Sequence, residues 1–162
     1  MSENIEQIDL NELIKNIVEE LEKIDTVGKV LIYDGQSVDD FVNTNLTLNN
    51  KATIYIDLTN IQYVKSNVNI GMDATVFFKL YIVGKKDYTS DKRFENNSTL
   101  CIETSQKIIA RLFENFLNSP LYNYPDFYNL TKFLSKTLNN KSVSAYSQDF
   151  SVFVSLFKQN KY

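Results

Sequence analysis

Asp73-Ala74-Thr75-Val76-Phe77-Phe78-Lys79-Leu80-Tyr81-Ile82-Val83 is the stretch on which the fold turns. Its even positions Val76, Phe78, Leu80 and Ile82 are all apolar, while the odd positions Thr75, Phe77, Lys79 and Tyr81 are mixed. A period of two is the signature of a β-strand with one buried face. Such a face needs a second layer over it, and the segments on either side supply helices and not more sheet alone.

Upstream, Ala52, Ile54, Ile56 and Leu58 alternate with Thr53, Tyr55, Asp57 and Thr59, so a strand precedes, and Ile61–Lys65 either continues or bends it. Residues 43–51 read as an Asn-rich loop, and Asn67 to Gly71 as a turn. Further back, Leu10, Leu13, Ile14, Ile17, Val18, Leu21 and Ile24 recur at steps of three and four, which predicts an amphipathic helix over about 9–25. Asp9 with Glu12 resembles a capping box. Gly28 is expected to end this segment before a short strand at Lys29–Tyr33, closed by the turn pair Asp34-Gly35. One or two helical turns are expected at 37–43.

Downstream, 84–98 reads as a polar connection near the upper end of ordinary loop length. A second amphipathic helix is predicted from Ser98 to Asn118, with Cys101, Ser105, Ile108, Ile109, Leu112, Phe113, Phe116 and Leu117 on one side. Ser119-Pro120 stops it, and Leu121–Asp126 reads as an ordered aromatic loop. Leu130, Lys132, Leu134, Lys136 and Leu138 then alternate up to Asn139-Asn140-Lys141, and a long strand returns from Ser142 to Phe157: a C-terminal β-hairpin over about 130–157. The fold class is therefore α+β: a single antiparallel or mixed β-sheet packed on one face by two main α-helices, in one domain spanning 1–162.

Composition narrows the chemistry. The 162 residues are 43% hydrophobic and 13% aromatic, enough to build a core. With no histidine, the commonest general base and metal ligand is missing, and so are the Ser/His and Cys/His nucleophile pairs. Cys101 is single, which excludes an intramolecular disulfide and a thiolate zinc cage and fits a reducing compartment. There is no phosphate-binding glycine motif. Asp57 and Asp73 are isolated strand acids, and no acid has a Lys two positions later, as a metal-dependent nuclease would want. No enzymatic activity, cofactor or metal is expected. No apolar run reaches the ~18 residues of a membrane span, and the start Ser2-Glu3-Asn4 is unlike a secretory signal.

Seventeen basic against 20 acidic residues give a net charge of −3. Residues 1–40 hold eleven acids and three bases, a net of −8, and residues 41–162 hold nine acids and fourteen bases, a net of +5. An acidic run is most often a solvated helix face. The sharper reading is that Glu19, Glu20 and Glu22 meet a basic surface on another subunit, with Lys79, Lys85, Lys86, Lys92 and Arg93 as its candidates. Tyr55, Phe77, Lys79 and Tyr81, with Tyr63 and Lys65, were they all exposed, could instead stack single-stranded nucleic acid; two Arg and net acidity count against it.

The opening helix, the strand ending Tyr33-Asp34-Gly35, the strand Ala52–Ile56, the long strand Thr75–Val83 running into a polar loop, one long helix and a final hairpin ending Phe150-Ser151-Val152-Phe153-Val154 together resemble the Mu-like phage tail protein family. The similarity extends over about residues 10–157, and the family is similar to the tail terminators that cap contractile tails and related injection systems. It lies in order and hydrophobic pattern, while the Lys- and Asn-rich surface and acidic N-terminal segment depart from the Ala-, Arg- and Gly-rich members. The resemblance implies a homo-oligomeric ring, commonly a hexamer. That ring would cap tail tube and sheath proteins and face a head–tail connector, in the cytoplasm during assembly and then in the virion or a phage-tail-like particle. Another adaptor or minor tail role, or a non-enzymatic nucleic-acid or ligand-binding module, stands as the alternative.

Overall fold

Asp9 starts the first helix: its carboxylate accepts a hydrogen bond from the Asn11 backbone N–H at 2.9 Å, while its own backbone stays extended. One donor left open at the helix N-terminus is thereby satisfied. The chain, a computed structural model, is described for residues 5–35, 37, 51–65, 71–87, 97–116, 125–138 and 141–159. Its elements are β1 (Ile5–Gln7), α1 (Leu10–Glu22), β2 (Val27–Ile32), β3 (Ala52–Lys65), β4 (Gly71–Asp87), α2 (Asn97–Phe116), β5 (Asp126–Leu138) and β6 (Lys141–Gln159).

The strands form one six-stranded mixed sheet. Its path runs β2-β3-β4-β6, and the outer edge of β6 carries β5 along residues 141–151 and β1 along 157–159. All pairings are antiparallel except β2 with β3. Of the two sheet types the sequence left open, the mixed one is present, and α1 and α2 pack on the same face of it.

The period-two reading of β4 is borne out. Val76, Phe78, Leu80 and Ile82 are buried, and they meet Ile54 and Ile56 of β3 and Phe150, Val152 and Val154 of β6. Leu13, Ile17 and Leu21 of α1 and Cys101, Ile108 and Leu112 of α2 cover them. Phe78 and Phe150 stack with ring centroids 5.0 Å apart. Each such side chain contributes about 1.5–3 kcal/mol by leaving water, so this layer carries most of the stabilisation.

The opposite face holds a smaller cluster of Tyr55, Val83, Leu134, Val143 and Ala145, bordered by Leu31, Tyr33 and Tyr81. Tyr81 lies centrally, stacked on Tyr33 at 4.7 Å and meeting Phe133 edge-on at 5.7 Å. Tyr81 of β4 thus holds together the rings of Phe133 on β5 and of Tyr33, which follows β2.

Several boundaries differ from the sequence expectation. α1 is shorter, ending at Glu22, and Gly28 lies inside β2, at a register shift between Val27 and Lys29, and not at the end of a segment. A residue without Cβ fits an irregular strand position. β3 does continue through Ile61–Lys65, with a shift between Leu58 and Asn60. β4 extends to Asp87, so Lys85 and Lys86 belong to a strand and not to a loop, because their backbones pair with Val143 and Ser142. The hairpin starts earlier, at Asp126, and β1 was not anticipated. In β5, register shifts around Phe127–Leu130 and Lys132–Leu134 put Leu130 opposite Gln148 and Leu134 opposite Ala145, on opposite faces. A single alternating face from Leu130 to Leu138 is therefore corrected: a bulge inserts a residue and reverses the pleat. The helical turns expected at 37–43, apart from Ser37, the turn at Asn67 and the aromatic loop up to Tyr124 lie outside the described residues.

Candidate functional site

The acidic helix offers the first surface. Glu12, Glu19 and Glu22 are exposed, on the side of α1 away from Leu13, Ile17 and Leu21. Glu20 differs from its neighbours. It accepts hydrogen bonds from Lys23 Nζ at 3.1 Å and from Arg111 Nε on α2 at 2.9 Å. Burial pushes its carboxyl up, but those two cationic donors outweigh it and hold the group below the usual carboxylate range. Of the three grouped acids, Glu19 and Glu22 face solvent, whereas Glu20 ties the two helices together.

One turn away, α2 is also tied to the connection between α1 and β2. Lys107 of α2 reaches Asp25 at 2.7 Å and Glu103 at 3.2 Å, and Thr104 bonds Thr26 at 2.9 Å. The hydrogen bond from Lys107 lowers the Asp25 pKa, and the two acids raise that of Lys107.

The outer sheet face is the second surface. Lys79 stands between Asp57 on β3 and Asp149 on β6 in register, and its Nζ lies 3.8 Å from Asp149. Two acids around one lysine leave this part of the face negative. Tyr55, at 2% exposed, offers no ring face for a base to stack on. Tyr63 is 61% exposed, but it pairs in register with Ala74, far along β3 from Tyr81, which pairs with Tyr55. The stacking platform drawn from Tyr55, Phe77, Lys79 and Tyr81 is thus neither open nor positive. Burial, then Tyr33 and Asp57, raise the Tyr81 pKa, in keeping with a ring held among other rings and acids.

The third surface is the pair of sheet edges. β5 is exposed along most of its length, with Tyr128 and Leu130 prominent, and its only strand partner among the described residues is β6. At the other end, β2 pairs only with β3 among the described residues, and Ile32 is 58% exposed. Exposed apolar edge strands are where chains join other chains. The sequence did not single out these residues, although Tyr128, Leu130 and Phe133 on a hairpin strand were a usable signal.

Lys85 and Lys86 lie near the end of β4, and Lys92 and Arg93 fall outside the described residues. Among the described residues there is no cluster of three or more metal-ligating side chains, and no helix is long and apolar enough to cross a membrane. Burial pushes the Cys101 thiol up to about 12, and its Sγ faces the Ile82 carbonyl at 3.5 Å and the Ser144 carbonyl at 3.6 Å. This is the setting of a packed thiol and not of a nucleophile. Compared with protein-family models and with curated proteins, the chain matches none.

Proposed function

We propose that this protein is a structural assembly subunit of a phage-type tail, a terminator that closes the tail tube and sheath as a ring of copies within a virion or phage-tail-like particle. The observation that carries the reading is the exposed acidic face of α1, with Glu12, Glu19 and Glu22, on a chain whose residues beyond position 40 have a net charge of +5. A head-to-tail contact needs two different complementary surfaces on every copy, and opposite charge fixes which meets which. The hydrophobic order that resembles Mu-like tail proteins supplies the biological setting.

Native mass spectrometry across concentration and salt tests this directly. A discrete ring-sized oligomer, formed alone or on adding tail-tube protein, is expected. A chain that stays monomeric with tube and sheath proteins present overturns the terminator reading and favours a ligand-binding module.

A further inference from the structure

Asp34-Gly35 is the single Asp-Gly step in the chain, no Asn precedes a Gly, and the step stands just past the end of β2. The sheet holds this segment as far as Tyr33, whose backbone N–H bonds the Ile56 carbonyl at 2.8 Å. Asp34 and Gly35 beyond it are both exposed and belong to no strand or helix. Gly35 takes φ +74°, the left-handed region that a residue without Cβ enters readily, and a Cβ placed there would meet nothing within 4 Å. A carboxyl side chain, a following residue that cannot crowd it, surface exposure and open space thus coincide at one peptide bond.

We propose that this bond is a site of spontaneous covalent modification, at which Asp34 converts to isoaspartate in the folded protein. The Gly35 backbone nitrogen attacks the Asp34 Cγ. A C–N bond forms, the protonated carboxyl loses its hydroxyl together with the nitrogen's proton as one water, and a five-membered succinimide closes. Water then adds at the former main-chain carbonyl carbon and breaks its bond to that nitrogen. One water leaves and one returns, so the composition is unchanged and nothing is oxidised or reduced. The main chain now runs through Cβ and Cγ, the carboxylate sits on Cα, and the link from β2 to β3 is one main-chain atom longer.

Ring closure needs the side chain and the next peptide nitrogen to swing together, a freedom that regular structure withholds. Other steps lack it. Asp73-Ala74 lies inside β4, paired with Val64 on one side and Ser155 on the other. Asn97-Ser98 opens the helix α2. Asp25 precedes β-branched Thr26, and its carboxylate is held by Lys107 at 2.7 Å. At position 34 the reacting atoms lie beyond the Tyr33 hydrogen bond and the Tyr33–Tyr81 stack, so the sheet stays paired while the ring forms. The proposal rests on no part of the ring reading given above.

The test is to incubate the full chain in neutral buffer for several weeks and map its peptides by electron-transfer fragmentation, which tells isoaspartate from aspartate at equal mass. An isoaspartyl methyltransferase with a labelled methyl donor counts the total. Isoaspartate at position 34, accumulating faster than at any other aspartate while circular dichroism stays native, is the expected result. Asp34→Glu keeps the charge but would have to close a six-membered ring, so it should remove most of the methyl incorporation. Asp34→Asn should react several times faster, its loss of ammonia readable as a mass gain in that peptide. No isoaspartate at position 34, or accumulation there only in denaturant, overturns the proposal. Methyl incorporation left unchanged by Asp34→Glu overturns it as well.

Discussion

Arg111 Nε donates to Glu20 Oε2 at 2.9 Å, joining α2 to α1 across 91 residues of chain. Both side chains are partly shielded from water, so the pair is stronger than a free surface ion pair and weaker than a buried one. A double-mutant cycle with Glu20→Gln and Arg111→Met should show a coupling of about 1 kcal/mol in chemical denaturation. A coupling indistinguishable from zero would mean that the helices are held by packing alone.

The same pair gives a pH dependence. Glu20 has a folded-state pKa below its unfolded value, so its contribution is present above the unfolded carboxylate value and is lost as pH falls through the folded one. Denaturation midpoints of the native chain should therefore drop more steeply than those of Glu20→Gln as the solution is acidified below about pH 4.5. Parallel curves would contradict the assignment.

Cys101 should be silent toward thiol reagents in the folded protein at pH 8 and react fully in denaturant. Its thiol has the opposite linkage. The folded pKa of about 12 exceeds the unfolded value, so its stabilising effect is complete below that unfolded value, near 8.5, and declines as pH rises toward 12. Rapid labelling of the native chain at pH 8 would show that the site opens.

Gln148 is 2% exposed, and its Oε1 has no hydrogen-bond partner among the described residues. A buried acceptor left unsatisfied costs about 1–3 kcal/mol, so Gln148→Met should be neutral or stabilise the fold by about 1 kcal/mol. Destabilisation by more than that would reveal a partner for this oxygen.

The proposed ring assigns exposed Glu19 and Glu22 to assembly and not to the fold. Replacing both with Gln should weaken oligomer formation at low ionic strength and have little effect above roughly 0.5 M salt, where exposed charges are screened. Glu20→Gln is the control, because it loosens the helix pair. Assembly unaltered at low salt would remove charge from the account of the ring.

Much of the architecture was written locally. The even positions of Thr75–Val83 and the three-and-four spacing of Leu13, Ile17 and Leu21 marked buried faces because side-chain periodicity is a property of the segment itself. What escaped is set between segments. The parallel pairing of β2 with β3, the pleat reversal between Leu130 and Leu134, and the reach of Arg111 to Glu20 depend on partners distant in sequence. A three-residue strand such as β1 is too short to show a period. Glu19, Glu20 and Glu22 looked alike as a charge run, yet one of them is drawn out of solvent by an arginine on another helix.

The pairing of β4 with β6 has a consequence for the order in which the chain is made. β4 is complete at Asp87, but the strand that covers its second edge begins only at Lys141. During synthesis, Val76, Phe78, Leu80 and Ile82 therefore emerge well before Phe150, Val152 and Val154, and before the helix α2 that lies over them. For that interval β3 and β4 form an incomplete hairpin with an apolar face and an open edge, the kind of species that chaperones hold and that aggregates when crowded. At the ~5–20 residues per second of translation the exposure lasts several seconds. Slower elongation through residues 88–140 should lower the soluble yield, and early release of β6 in a faster translation system should raise it.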